Sequence, residues 1–171
     1  SNTLNIDNPK LNCHLDGYEK YSPKRIILDK DLDIDMNTYI YKSAKNNNTI
    51  IFHNSSNHAK IKSLKKKGIY LIKITLNTKK KFDIKVILKK LFSLGIRNLL
   101  VEGGDKITKN MLKERLIDQF YLFESLKTLP KTKKHVIFTS NNILNRNYTI
   151  KSLISSKLAK DKITIYKRKY V

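Results

Sequence analysis

Val101-Glu102-Gly103-Gly104-Asp105-Lys106-Ile107-Thr108 gathers the residue types best suited to chemistry in this chain: a carboxylate, paired glycines and a hydroxyl. An apolar run, Ile96-Arg97-Asn98-Leu99-Leu100, precedes it, and helix-periodic residues, Met111-Leu112 and Leu116-Ile117, follow it. Strand, glycine turn, helix is an order that aims free backbone N–H groups and the positive end of a helix dipole at one spot. Phosphate or pyrophosphate is the usual occupant. The glycines admit close approach of a ligand and accept positive φ. Glu102, as the last strand residue, would stand at the carboxyl edge where open parallel sheets bind ligands. A carboxylate ending a buried strand needs a partner, and a substrate hydroxyl is a natural one. The same residues also describe a plain tight turn with Asp105 capping the helix.

The elements that must position this turn can be read from periodicity. Lys24–Asp29, Thr49–His53 and Ile69–Ile74 are short apolar runs that predict strands, with Asn98–Glu102 as the fourth. Asn57–Lys67 carries Ala59, Ile61 and Leu64 among lysines and closes at Gly68, which suits an amphipathic helix with a glycine cap. Asp83 precedes a helix with Ile84, Ile87, Leu88, Leu91 and Phe92 on one face and Gly95 at its end. Asp105–Arg115 is the next helix. This alternation predicts βαβ units and a mostly parallel central sheet flanked by helices. Residues 1–22 read as polar and turn-rich. The tail predicts antiparallel strands without intervening helices, at Asp118–Leu126, His135–Phe138, Tyr148–Ile154 and Ile163–Lys169, with Leu129–Lys134 as a loop. The expectation is a single α/β domain spanning residues 1–171.

With 40% apolar residues, 171 residues can bury a core of ordinary size. No apolar run approaches the roughly 20 residues of a membrane span, and no basic start leads into a secretory signal. The lone Cys13 excludes an internal disulfide framework and a cysteine-based zinc site. These features predict a cytoplasmic protein with no metal. The net charge of +22 would ordinarily suggest nucleic acid. However, 31 lysines and only five arginines carry it, and arginine is the residue suited to bidentate phosphate and base recognition. Lys, Asn and Ile all have A/T-rich codons, so genome bias accounts for the lysines. A solvated lysine surface is the favoured reading, and its field still concentrates phosphate-bearing ligands.

Four motifs resemble the reductase domain of the bifunctional riboflavin-biosynthesis deaminase–reductase, which has a dihydrofolate-reductase-like fold. Ile6-Asp7-Asn8-Pro9-Lys10-Leu11 resembles its Asp-Asp/Asn-Pro-x-Leu loop, and Pro23–Asp29 its strand of Pro-x-Arg, three hydrophobic residues and Asp. Leu100–Gly104 resembles its Val-Glu-Gly-Gly turn, and Leu116–Phe120 its Leu-Val-Asp-Glu-Leu segment. The resemblance implies NADPH-dependent reduction of 5-amino-6-(5-phosphoribosylamino)uracil to its ribitylamino product. It implies that Gly104, Asp105, Lys106, Ile107 and Thr108 cradle the NADPH pyrophosphate, and that Thr3, Asp7 and Lys30 also contact the cofactor. Glu102 and Leu11 fall at its substrate-contacting positions. His14 stands where the family has a phosphate-gripping arginine, and an imidazole lacks that fixed charge and fork. Asp7 has a turn-capping role as its alternative, Lys30 that of a surface lysine and Leu11 that of loop packing.

The family pattern also places a first strand and helix before the Asp7 loop, and a zinc deaminase domain upstream. The chain opens at Ser1-Asn2 directly into that loop, so the resemblance implies an N-terminally truncated fragment that reduces substrate poorly by itself. The exposed strand edges would favour a homodimer. Two alternatives remain: a non-catalytic reductase-like dimerisation or binding module, and a dihydrofolate-type reductase with another substrate. His53–Asn57 is a further candidate, as a seat for an adenosine 2′-phosphate.

Overall fold

The computed structural model describes residues 2–125, 138–155 and 162–169. The chain falls into two compact units, Ser1–Asn98 and Leu99–Val171. In the first, β1 (Arg25–Leu28), β2 (Thr49–His53) and β3 (Tyr70–Lys73) form a parallel sheet in the order β1-β2-β3. Ile26 pairs with Ile50 and Ile50 with Tyr70, so β2 is the middle strand. Every residue of β2 is buried, as expected of a parallel strand covered on both faces. The apolar runs of all three strands therefore fold as their sequences predict.

Helix α3 (His58–Lys66) connects β2 to β3, and its Asn57 cap accepts from Lys60 N. Gly68 ends it at φ +83. Gly68 N donates to Lys65 O and Ile69 N to Leu64 O, which satisfies the final carbonyls of the helix. A side chain there would be strained and would press on the Lys45–Asn46 backbone. Helix α4 (Ile84–Ser93) buries Ile84, Ile87 and Leu91, and Asp83 caps it by accepting from Lys85 N and Val86 N.

Residues 1–22 contain more structure than their composition predicts. Asn2–Asp7 form helix α1, and Glu19–Tyr21 a 3-10 turn. Asn8 closes α1 in the left-handed region, at φ 44, and its N–H donates to Leu4 O. Six residues are too few to show a helical period or to hold a helix in isolation. Leu4 holds it instead, buried in a cluster with Ile27, Leu32, Ile34, Ile40 and Ile51. Helix α2 (Tyr39–Lys42) is shorter still and is capped by Thr38.

In the second unit, α5 (Asp105–Lys113) precedes β4 (Gln119–Glu124), α6 (Asn141–Asn147), β5 (Tyr148–Ser155) and β6 (Lys162–Arg168). The strands form an antiparallel sheet in the order β4-β6-β5. Phe120, Leu122 and Tyr166 line its buried face with Leu112, Leu144 and Tyr148. The expectation of a helix-free tail is corrected by α6. Its sequence, NNILNRN, is weak in helix formers, but Leu144 anchors it fully buried. Leu126 and the Leu129–Lys134 loop lie outside the described residues, as does the expected strand at His135–Phe138 apart from Phe138.

The expected fourth strand, Asn98–Glu102, is also corrected. Residues 96–104 carry no strand, and Leu100 is 79% exposed. A strand needs a ladder partner, and among the described residues this run has none.

Candidate functional site

The candidate site residues lie in both units. In the second, Gly104 is the N-cap of α5, at φ −67 and ψ 172, with no side-chain cap bond. Asp105 is therefore the first helical residue rather than the cap, which corrects the capping reading. Neither glycine of the pair adopts positive φ, so the chain needs them for another reason. A Cβ on Gly103 would run into the Cγ2 methyl of Ile107. Gly103 thus permits the first turn of α5 to fold back over it, and Thr108 Oγ1 adds a hydrogen bond to Gly103 O at 3.3 Å.

Ile107 N and Thr108 N both donate to Gly104 O. With no side chain capping the turn, the N-terminus of α5 keeps donor capacity and a positive dipole end. Asp105 turns its Oδ1 inward, where it is buried without a hydrogen-bond partner. Lys106 is exposed beside it. Lys109, one turn on, donates to Thr139 Oγ1 at 3.1 Å. Glu102 is exposed and outside any strand, so the argument from a buried strand end is corrected for this residue. As an uncapped, glycine-led helix start, the turn can receive an anion, and the Asp105 carboxylate opposes one.

In the first unit, α1 docks on the segment after β1. Asn5 Nδ2 donates to Asp33 O at 2.8 Å, Asp35 N donates to Asn5 Oδ1, and Tyr39 N donates to Asn8 Oδ1 at 2.7 Å. Thr3 and Asp7 belong to this docked helix. Asp7 is exposed and makes no turn-capping bond. Asn8, through its backbone conformation, ends the helix instead. Leu11 sits in the left-handed region at φ 49 and packs against the core cluster, which is the loop-packing role. Lys30 is exposed and pairs with Asp31 at 3.4 Å, so Asp31 already engages its charge. His14 is exposed in the loop before the 3-10 turn.

The carboxyl edge of the parallel sheet holds a polar row that the motif reading left incomplete. Asp29 N donates to Phe52 O, which sets Asp29 beside His53, and His53 pairs with Lys73 in register. Asp29 is 1% exposed, and its Oδ2 accepts from Ile34 N at 2.8 Å, shaping the turn after β1. Burial and the nearby Lys73 hold the His53 pKa below its ordinary value. Lys73 Nζ donates to Ser56 Oγ at 3.2 Å. One signal in the sequence could have found this row: each apolar run ends on a polar residue. Among the described residues, no group of three or more His, Cys, Asp or Glu converges on one point. None of their helices is long and apolar enough to cross a membrane.

A parallel βαβ unit with an antiparallel C-terminal sheet defines an α/β protein of the dihydrofolate-reductase-like kind, and solved structures share the fold. A pyrimidine reductase-like protein from Corynebacterium diphtheriae superposes with TM-score 0.75 at 15% identity, over 99% of this chain and 74% of its own. Acinetobacter baumannii RibD superposes with TM-score 0.72 at 17% identity, over 98% of this chain and 45% of its own. The chain belongs to the RibD C-terminal domain family, whose model matches residues 1–163. The riboflavin biosynthesis protein RibD of Aquifex aeolicus is 34% identical over 75% of this chain. The RibD of Actinobacillus pleuropneumoniae is 26% identical over 71% of it. The chain spans about a third of the length of these relatives, 34% and 31% respectively.

Proposed function

We propose that residues 1–171 act as an NADPH-dependent reductase domain in riboflavin biosynthesis. The substrate is 5-amino-6-(5-phosphoribosylamino)uracil, whose ribosyl group is reduced to ribityl. Family membership supports the reaction class. The observation that carries the cofactor is the start of α5, a glycine-led N-terminus with no side-chain cap. The parent protein joins the domain to a zinc deaminase domain and works as a cytoplasmic homodimer.

NADPH supplies the hydride when bound; the protein supplies position and charge. Gly104–Thr108 hold the diphosphate through the N-terminal amides of α5 and the Thr108 hydroxyl. In the first unit, Thr3, Asp7 and Lys30 are the residues that the family resemblance assigns to the cofactor. The His53–Asn57 segment, with Lys73 on Ser56, receives the adenosine 2′-phosphate. Glu102, exposed, accepts from a sugar hydroxyl of the substrate. In the first unit, the family resemblance assigns Leu11 to the substrate. His14 donates a single hydrogen bond to the substrate phosphate in place of an arginine fork. Holding the sugar carbon against the nicotinamide is the main demand, because proximity can supply much of the barrier lowering.

A fluorescence titration with NADPH tests the reading, followed by an NADPH-oxidation assay with the phosphoribosylamino-pyrimidine. Saturable NADPH binding, with thermal stabilisation rising as RT ln(1 + [L]/Kd), is the expected result. A chain that gains no stability from NADPH is a binding or assembly module instead.

A further inference from the structure

We propose that His53 is a positioning residue for the phosphate monoester of the dinucleotide. It shapes the Asn54–Asn57 turn around that group. It also takes up a proton as the group arrives, so that preference for the phosphorylated nucleotide grows as pH falls. This rests on the dinucleotide reading above.

The argument begins with position. His53 ends the middle strand of the parallel sheet, at the edge where such sheets receive ligands. It is 3% exposed, and its Nδ1 has no hydrogen-bond partner. The Ser55 backbone, in the turn that follows, favours the protonated ring against the larger opposing effect of burial. A histidine kept only for packing would have both nitrogens satisfied or would be replaced by an apolar residue. Here one nitrogen is left open.

The surroundings decide its charge. Asp29 faces it from β1, Lys73 from β3 and Lys65 from α3. Asp29 already accepts from Ile34 N, and two cations oppose one carboxylate. Burial, the larger effect, acts with these cations to disfavour the charged ring in the absence of ligand. The same place suits a phosphate: Lys73 Nζ holds Ser56 Oγ, and α3 begins at His58 with its positive end toward the turn. A dianionic monoester reverses the local balance and favours the imidazolium. The neutral ring gains one proton from solvent, and no other bond forms or breaks. A nucleotide without the monoester brings no such charge to this place.

The test compares NADPH and NADH by fluorescence titration, on the native chain and on His53→Gln, at about pH 8 and about pH 6, either side of an ordinary histidine pKa. The monoester itself titrates near pH 6, so the informative quantity is native affinity relative to the variant at each pH. For NADPH this ratio should grow roughly three- to tenfold between the two pH values, and for NADH it should stay flat. His53→Asn serves as a second variant if the first does not fold. Native-protein calorimetry in two buffers of different ionisation enthalpy should show net proton uptake with NADPH beyond that with NADH. Parallel pH curves, or equal loss for both nucleotides, overturn this inference alone. Failure of the native chain to bind either nucleotide overturns the dinucleotide reading and this inference with it.

Discussion

Replacing Gly103 with alanine adds one methyl group, and the structure decides where it goes. Gly103 does not occupy the left-handed region, so an alanine meets no backbone strain. Loss of chain entropy in the unfolded state would then stabilise by about 0.4–1 kcal/mol. Against this, the new Cβ collides with Ile107 Cγ2, which belongs to the first turn of α5. Overpacking of this kind costs about 1–3 kcal/mol. The steric effect wins, and Gly103→Ala should lose roughly 1–2 kcal/mol. Ile107 is half-buried, so Ile107→Ala alone should lose about 1–2 kcal/mol of packing. The double variant removes the collision, so the two losses should fall short of additive by about 1 kcal/mol. Urea unfolding followed by circular dichroism measures all three. NADPH titration adds a second readout, because a displaced α5 start misplaces the diphosphate amides and should weaken binding several-fold. The reasoning is refuted if Gly103→Ala matches the native protein in both readouts, or if the two substitutions are additive.

Three further outcomes follow from the same geometry. Asp105→Asn removes the one anionic group at the start of α5 and should tighten NADPH roughly two- to tenfold by titration; unchanged affinity would show that the carboxylate does not face the nucleotide. Leu4→Ala takes from α1 a buried anchor and should destabilise the first unit by about 2–4 kcal/mol, with hydrogen exchange accelerating first over residues 2–8. His53 is neutral in the fold and its pKa is lowered, so the unfolded chain binds its proton more readily. Stability should be complete above about pH 6.5 and fall below it, by at most about 1.4 kcal/mol per pH unit from this residue; His53→Gln should flatten that part of a urea-midpoint profile.

How legible each element was depended on how its stability arises. Thr49–His53 reads as a strand because burial on both faces keeps its centre, Ile50-Ile51-Phe52, apolar, and β2 has those bounds. Ile84–Ser93 reads as a helix because one face repeats at 3.6 residues between Asp83 and Gly95. Asn98–Glu102 shows the limit of such reading: Leu99-Leu100-Val101 is as apolar as β1, but a strand exists only with a partner beside it. Helices α1 and α6 show the converse, being short and weak in local signal yet held by Leu4 and Leu144. At the candidate site, the glycine pair was legible, but its reason was not. Gly103 answers to the Ile107 methyl rather than to a φ angle, and a one-dimensional pattern holds no such contact.

The family, the parallel βαβ body and the helix start after Gly103-Gly104 are all legible in the order of residues along the chain. These follow from local periodicity, capping and motif order, which are properties of neighbouring residues. Tertiary structure alone decided that Asp105 lies inside the helix with Oδ1 buried, that Glu102 stands exposed, and that Asp29, His53 and Lys73 share one edge. Those facts depend on strand register and on desolvation, which arise only when residues far apart in the chain are brought side by side.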